Sequence, residues 1–330
     1  MTLQFSASLP APAAADLETV FGEFIRLNVN GGQASDKTRK LYLAHARAYG
    51  DWCAATGLTP LTVTHQDLLR YRSALLEQRV SLATLKLRLT VVRRLHTALQ
   101  VHGLRADHPA QGVSVPRTTE SDAERVAHRY LSEDKARELL NAPTHRTLAL
   151  GTDREHERRA HLNRRDAAMI AVMMLQGARV GEVSAIRLSD LDLNGGTLRL
   201  RGKGGKLRTA YLIDPTLDAL RAWLEVRPSG SDRLFIRMSP GAEGQPLGIR
   251  GVRKATDEYL VQVGVKRHGV SCHSLRHTFG THARKGGATL ESIRDAMGHS
   301  SVTTTEVYAQ VIDARKNNAA QSLTSLAANL

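Results

Sequence analysis

Leu17, Val20, Phe21, Phe24 and Ile25 fall on one face of a 3.6-residue period, and this spacing predicts an amphipathic helix near the start of the chain. A second helix is expected from Ser35 to Thr56, with Leu41, Ala48 and Trp52 on its inner side and Gly57 as a left-handed stop. A third begins at Thr64, where Asp67 completes a capping box with Asp in place of Glu. A fourth runs from Ser81 to His102. Its apolar set is Leu82, Leu85, Leu89, Val92 and Leu99, while Lys86, Arg88, Arg93 and Arg94 form a basic side that ends at Gly103.

Helical period then lapses. Pro109, Gly112, Pro116, Thr118 and Thr119 mark a connector. A helix follows from Leu131 to Leu140, with Glu133 and Asp134 in its first turn, where they complement the helix dipole. Residues Pro143 to Asn163 are charged and aperiodic and are expected to form a surface excursion, whereas Ala167 to Leu175 is apolar throughout and reads as a buried helix. Strand signals occur only in this half. Thr197 to Leu200 and Leu207 to Ile213 flank the glycine-rich turn Gly202-Lys203-Gly204-Gly205-Lys206, which predicts a β-hairpin, and Leu234-Phe235-Ile236 is expected to add a third strand. Leu247 to Val263, Ser274 to Arg284 and Leu290 to Met297 read as helices. The predicted fold is mainly α with a small antiparallel β-sheet. Its expected divisions are a flexible amino terminus at 1–15, a helical domain at 16–108, a linker at 109–129 and a second domain with a carboxy-terminal tail at 130–330.

Charge changes the picture. With 330 residues the chain exceeds the usual size of one core, and its formal charge of +14 predicts attraction to a polyanion, nucleic acid before an anionic membrane. The longest apolar stretch, Ala167 to Leu175, is about half of the roughly 20 residues that span a bilayer. The amino terminus lacks the cationic start and apolar block of a secretory signal, so the expected location is the cytoplasm. Cys53 and Cys272 are too few and too distant for a disulfide framework or a zinc knuckle.

Cleaving a phosphodiester without a metal needs a nucleophile, cations on the non-bridging oxygens and an acid for the departing oxygen. Tyr308 is the candidate nucleophile. Lowering its pKa from about 10 towards neutrality corresponds to roughly 4 kcal/mol, which neighbouring guanidinium groups would help to supply. Arg179 and Arg276 are the candidate clamps, because a planar guanidinium donates two bonds to a phosphate and stays charged. Glu182, three residues after Arg179, is placed either to orient a neighbouring cation or simply to sit at a helix start. Lys203, on the hairpin turn, suits protonation of a leaving 5′ oxygen, although such a turn is more often a solvated loop; Lys206 and Arg208 are candidate contacts to a DNA backbone. The four cations of the long helix, Lys86, Arg88, Arg93 and Arg94, are further DNA-binding candidates. His273 and Arg276 share one side of a helix start. His273, His277 and His282 suggest metal ligation by spacing, but no carboxylate or cysteine completes the set, so neither metal nor cofactor is expected, and His277 is assigned a structural hydrogen bond.

In order and spacing, Gly177-Ala178-Arg179-Val180-Gly181-Glu182, Gly202-Lys203-Gly204-Gly205-Lys206, His273-Ser274-Leu275-Arg276-His277-Thr278-Phe279 and Gly298-His299 with Tyr308 resemble the motifs of the tyrosine recombinase, or phage integrase, family. The resemblance covers Leu131 to the end, and the helical first hundred residues look like that family's core-binding (SAM-like) domain. It implies an α+β catalytic domain in which Arg179, Lys203, His273, Arg276 and His299 surround the scissile phosphate and Tyr308 attacks it. The product would be a 3′ phosphotyrosyl bond and a free 5′ hydroxyl. Four protomers would exchange strands of duplex DNA through a Holliday junction, as a homotetramer or with a related recombinase, and the layout is nearest to Xer-type and simple integrase members. Integration, excision and dimer resolution all fit this scheme. The sequence departs from the family at Cys272, where proline is common, and in the length of the 143–163 excursion. Leu323, Leu326 and Leu330 in the tail are expected to pack on a neighbouring protomer. Two other readings fit a basic chain with these motifs: a type IB topoisomerase-like relaxing enzyme and a catalytically inert DNA-binding protein of a mobile element.

Overall fold

The computed structural model describes residues 17–116, 129–146, 151–202, 205–298 and 305–308. The chain divides into two compact units, Met1–Thr118 and Thr119–Leu330. Among the described residues, no helix is long and apolar enough to cross a membrane.

The first unit is a bundle of α1 (Leu17–Asn28), α2 (Asp36–Ala55), α3 (His65–Glu77) and α4 (Leu82–Val101). Side-chain caps fix three of the starts: Ser35 accepts from the Thr38 amide, Ser81 from the Thr84 amide, and Thr64 and Asp67 form the reciprocal box. Phe21, Phe24, Ile25, Tyr71, Leu85, Leu89 and Val92 fill the core. The inner face of α2 differs from expectation. Tyr49 and Cys53 are buried and Leu41 is 42% exposed, because the row that meets the bundle runs through Ala46, Tyr49 and Cys53, with Trp52 partly buried beside it. Of the cations on α4, Lys86 is exposed and Arg88, Arg93 and Arg94 are half-buried. Arg93 donates through Nη2 to the Val113 carbonyl at 2.8 Å, and Ala110 and Val113 lie in the core, so the expected connector begins with residues packed on this unit.

The second unit is built around α6 (Asp153–Leu175), which follows α5 (Glu133–Asn141) and a short 3₁₀ turn, Ala142–His145. Here the expected surface excursion is corrected. From Asp153 onward it is the exposed start of this 23-residue helix, opened by a Thr152–Glu155 capping box. Its charged half carries no apolar stripe, so the sequence showed no period there; the buried half from Arg165 onward anchors the whole helix in the core. Arg165 and Asp166 are buried together, with the Tyr259 hydroxyl donating to Asp166 at 3.2 Å.

After α7 (Val180–Ala185) comes the sheet of β1 (Leu191–Asp192), β2 (Thr197–Arg201) and β3 (Leu207–Tyr211), antiparallel in that order. Leu234-Phe235-Ile236 is not its third strand. The segment is fully buried and tied by single bridges, Arg187 to Arg233 and Ile236 to Pro246, while the third strand is the two-residue β1, too short to leave a sequence pattern. Helices α8 (Asp214–Val226), α9 (Ile249–Gln262), α10 (Cys272–Lys285) and α11 (Leu290–Met297) complete the unit, with α6 packed on α8 and α10.

Candidate active site

Arg179 is placed by a turn that only glycine allows. Gly177 has φ +60°, and a Cβ there would lie 2.6 Å from the Phe279 ring. The chain then enters α7 at Arg179, whose amide donates to Glu182 Oε2 at 2.9 Å while its guanidinium Nη1 donates to Oε1 at 2.8 Å. Glu182 thus fills both roles open to it in the sequence, helix-start carboxylate and holder of a cation. Arg208 donates from Nη2 to Glu182 Oε2 at 2.9 Å, so one buried carboxylate serves two guanidinium groups. Burial opposes ionisation of Glu182, but the Arg208 charge and the hydrogen bonds from Arg179 and Arg208 outweigh it and hold the carboxyl below its ordinary pKa.

A second carrier is the end of α11, where Gly298 adopts the left-handed conformation at φ +61°. The last carbonyls of a helix have no partner within it and carry the negative end of its dipole. Here they take guanidinium donors: Ala296 from Arg208, Met297 from Arg179 at 3.3 Å and Arg276 at 2.5 Å, and Gly298 from Arg179 at 3.2 Å. Arg276 also donates to the Gly177 carbonyl and is 1% exposed. Burial, and then the Arg179 charge, lower its pKa to about 9, still well above neutrality.

Helix α10 presents His273, Arg276, His277 and Gly280 at i, i+3, i+4 and i+7, one face of the helix. Tyr308, in the helical turn 305–308, lies flat on that face over Gly280, whose added Cβ would sit 2.7 Å from the phenol ring. The Tyr308 hydroxyl is 3.2 Å from His277 Nδ1, and the His273 and His277 rings meet edge to face at 4.6 Å. His273 stands at the rim, where the packing around its ring and then the Arg276, Arg179 and Arg129 charges lower its pKa. At Tyr308 the guanidinium charges act in the expected direction but are outweighed. Burial pushes its phenol up to about 12, and the Arg276 and Arg179 charges offset this only in part, so the guanidinium groups do not bring it towards neutrality in this arrangement.

The structure therefore brings Arg179, Arg276, Glu182, His273 and Tyr308 to one place. Lys203 and His299 lie outside the described residues, as does the tail from Ile312 to Leu330. Lys206 is exposed on the hairpin. Arg208 is not the surface contact expected of it but turns inward, because β3 alternates and its even positions, Arg208 and Ala210, face the core. Sequence reasoning gave no site role to Gly280 and only a general hydrogen bond to His277; the i+4 spacing from His273 to His277 was the available signal. Among the described residues no group of three or more His, Cys, Asp or Glu side chains could hold a metal, and His282 is bound to the Leu131 carbonyl. Glu182 pairs with Arg179 and Arg208, while Arg276 is tied only to carbonyls among the described residues, and the Arg276 and Arg179 charges both act on Tyr308. Such a cluster fits a phosphate monoanion.

Residues 129–315 match the model of the phage integrase family, more than half of the chain, and the protein belongs to that family. The chain is similar to the tyrosine recombinase XerC of Chlorobaculum parvum, 31% identical over 306 residues that cover 79% of this chain and 88% of the relative. It is similar also to XerC of Pelotomaculum thermopropionicum, 29% identical over 264 residues, 78% of this chain and 80% of the relative. Among solved structures, the fold matches the XerH site-specific recombinase bound to palindromic difH substrate with a TM-score of 0.70, at 19% identity over 94% of this chain and 96% of the other. It matches a lambda integrase dimer bound to a core site with a TM-score of 0.64, at 16% identity over 88% and 94%. The protein is a site-specific tyrosine recombinase, an enzyme that breaks and rejoins DNA.

Proposed function

We propose that Tyr308 attacks a scissile phosphate of duplex DNA while Arg179 and Arg276 neutralise its non-bridging oxygens, giving a 3′ phosphotyrosyl bond and a free 5′ hydroxyl. The observation that carries this reading is the positive charge of Arg179 and Arg276 at the side of one buried phenol. A phosphate bound there brings the negative charge that the cluster lacks, and it competes with the Met297 and Gly298 carbonyls for the guanidinium donors. His277 Nδ1, at 3.2 Å, is the base that the geometry offers to the phenolic proton. Lys203 protonates the leaving 5′ oxygen, and His273 and His299 complete the phosphate contacts, as the family's motifs imply.

On this reading four protomers, identical or including a related recombinase, assemble on DNA and exchange strands through a Holliday junction. XerH and the lambda integrase, whose structures carry DNA, support the partner, and the charge of +14 supports a broad backbone contact. The place of work is the cytoplasm, where a chain of this charge meets DNA and where two free cysteines, both buried, persist as thiols.

Covalent capture tests the reading. The protein is mixed with fragmented DNA of its source genome in EDTA and denatured, and protein-linked fragments are recovered and sequenced, with Tyr308→Phe alongside. A short inverted repeat recovered by the wild type alone supports it. Equal recovery with both proteins, or none with either although both bind DNA, contradicts it.

A further inference from the structure

Arg208 sits where an arginine is costly. It lies opposite Leu200 on the inward face of the sheet, in line with the buried Leu198–Ala210 pair, and its side chain is 11% exposed. Its guanidinium is largely engaged within the protein: Nη2 is taken by Glu182, Nη1 by the Ala296 carbonyl, and Nε is buried with no partner among the described residues. The side chain instead joins three parts of the site. Its charge fixes Glu182, whose other oxygen holds Arg179 at 2.8 Å. Its stem lies against Gly298, where an added Cβ would be 2.8 Å from Arg208 Cδ, and it secures the same helix end on which Arg179 and Arg276 converge. Gly202, on the hairpin that β3 closes, approaches the same carboxylate, with an added Cβ 3.6 Å from Glu182 Oε1.

We propose that Arg208 is a positioning residue for strand cleavage: without touching DNA, it holds Glu182 and the end of α11 so that the Arg179 guanidinium is aimed at the scissile phosphate. This rests on Arg179 as a phosphate clamp. A bound phosphate draws the Arg179 donors off the Met297 and Gly298 carbonyls, and Glu182 is then what keeps that guanidinium in place. Removing Arg208 frees one side of the carboxylate and one of the four guanidinium bonds to the helix end, so the clamp loses its aim while the DNA-facing surface is unchanged.

The test uses the DNA site recovered by capture and the full chain as wild type, Arg208→Met, Arg208→Lys, Glu182→Gln and the Arg208→Met/Glu182→Gln pair. Single-turnover formation of the covalent adduct is followed on a phosphodiester and on a neutral methylphosphonate at the scissile position, which has little need of a cationic clamp. Arg208→Met is expected to slow phosphodiester cleavage about 10²-fold with DNA affinity retained, and to slow methylphosphonate cleavage by less than about tenfold. Arg208→Lys, which keeps a charge without the fork, recovers part of the loss. The paired variant is no slower than the worse single one, since both act on one guanidinium. Should Arg208→Met fail to fold, the paired variant, which removes the charge with its counter-charge, carries the same comparison. Equal slowing on both substrates makes Arg208 a support of the fold alone, and a wild-type rate in Arg208→Met removes its role; either overturns the proposal. If the wild type forms no covalent adduct at all, the assignment of Tyr308 and Arg179 fails and this proposal with it.

Discussion

The Tyr308 hydroxyl and His277 Nδ1 are 3.2 Å apart, a hydrogen bond between a buried phenol and a ring one turn after His273. The contact orients the phenol, and it makes the two residues separable by mutation. Tyr308→Phe should fold, bind DNA and form no covalent adduct, with a stability loss of about 1 kcal/mol for the missing bond. Thermal unfolding and adduct assays check both; an adduct formed by Tyr308→Phe contradicts the assignment.

Two glycines are required by the packing around the nucleophile. Gly280→Ala puts a methyl group 2.7 Å from the Tyr308 ring, and Gly177→Ala combines φ +60° with a contact of 2.6 Å to Phe279. Each should destabilise the protein by about 1–3 kcal/mol, and Gly280→Ala should reduce adduct formation more than stability explains, because it shifts the nucleophile. Unfolding curves with parallel adduct rates decide this, and an unshifted Gly280→Ala protein with full activity contradicts the described packing.

Burial pushes the Tyr308 phenol up to about 12. The unfolded chain releases that proton near pH 10, so between about 10 and 12 the native state holds a proton that the unfolded state has lost. This contribution to stability is complete below about pH 10 and disappears as pH climbs through the folded value. Ultraviolet difference titration of wild type against Tyr308→Phe should place this phenol's ionisation well above 10, and ionisation at or below 10 contradicts it.

The tail carries Leu323, Leu326 and Leu330 in an otherwise polar stretch. Deleting the residues after Asn317 should abolish cooperative assembly on DNA while single-protomer binding persists. Gel-shift titration on a two-site duplex measures this, and unchanged cooperativity refutes a tail-mediated contact.

Much of the fold could be read in the sequence because the signals were local. The Thr64–Asp67 box, the helix-ending Gly57 and Gly103, and the hairpin around Gly202 to Lys206 are encoded within a few residues. The first half of α6 and the strand β1 were hidden, one because charged residues carry no apolar period and the other because two residues form no pattern. At the site, Arg179, Arg276 and Tyr308 were recognisable by residue type and order, whereas the inward turn of Arg208 depends on strand alternation meeting a carboxylate on another element. The use of the α11 carbonyls as the meeting point of three arginines is a tertiary fact with no sequence signature beyond Gly298.

On the proposed mechanism Tyr308 becomes covalently joined to DNA. The most direct test is to digest captured adducts with nuclease and protease and to locate the residual nucleotide by mass spectrometry. The expected result is a single modified peptide containing Tyr308, linked through a 3′ phosphate, formed in EDTA. A nucleotide on any other residue, or a linkage through a 5′ phosphate, would contradict it.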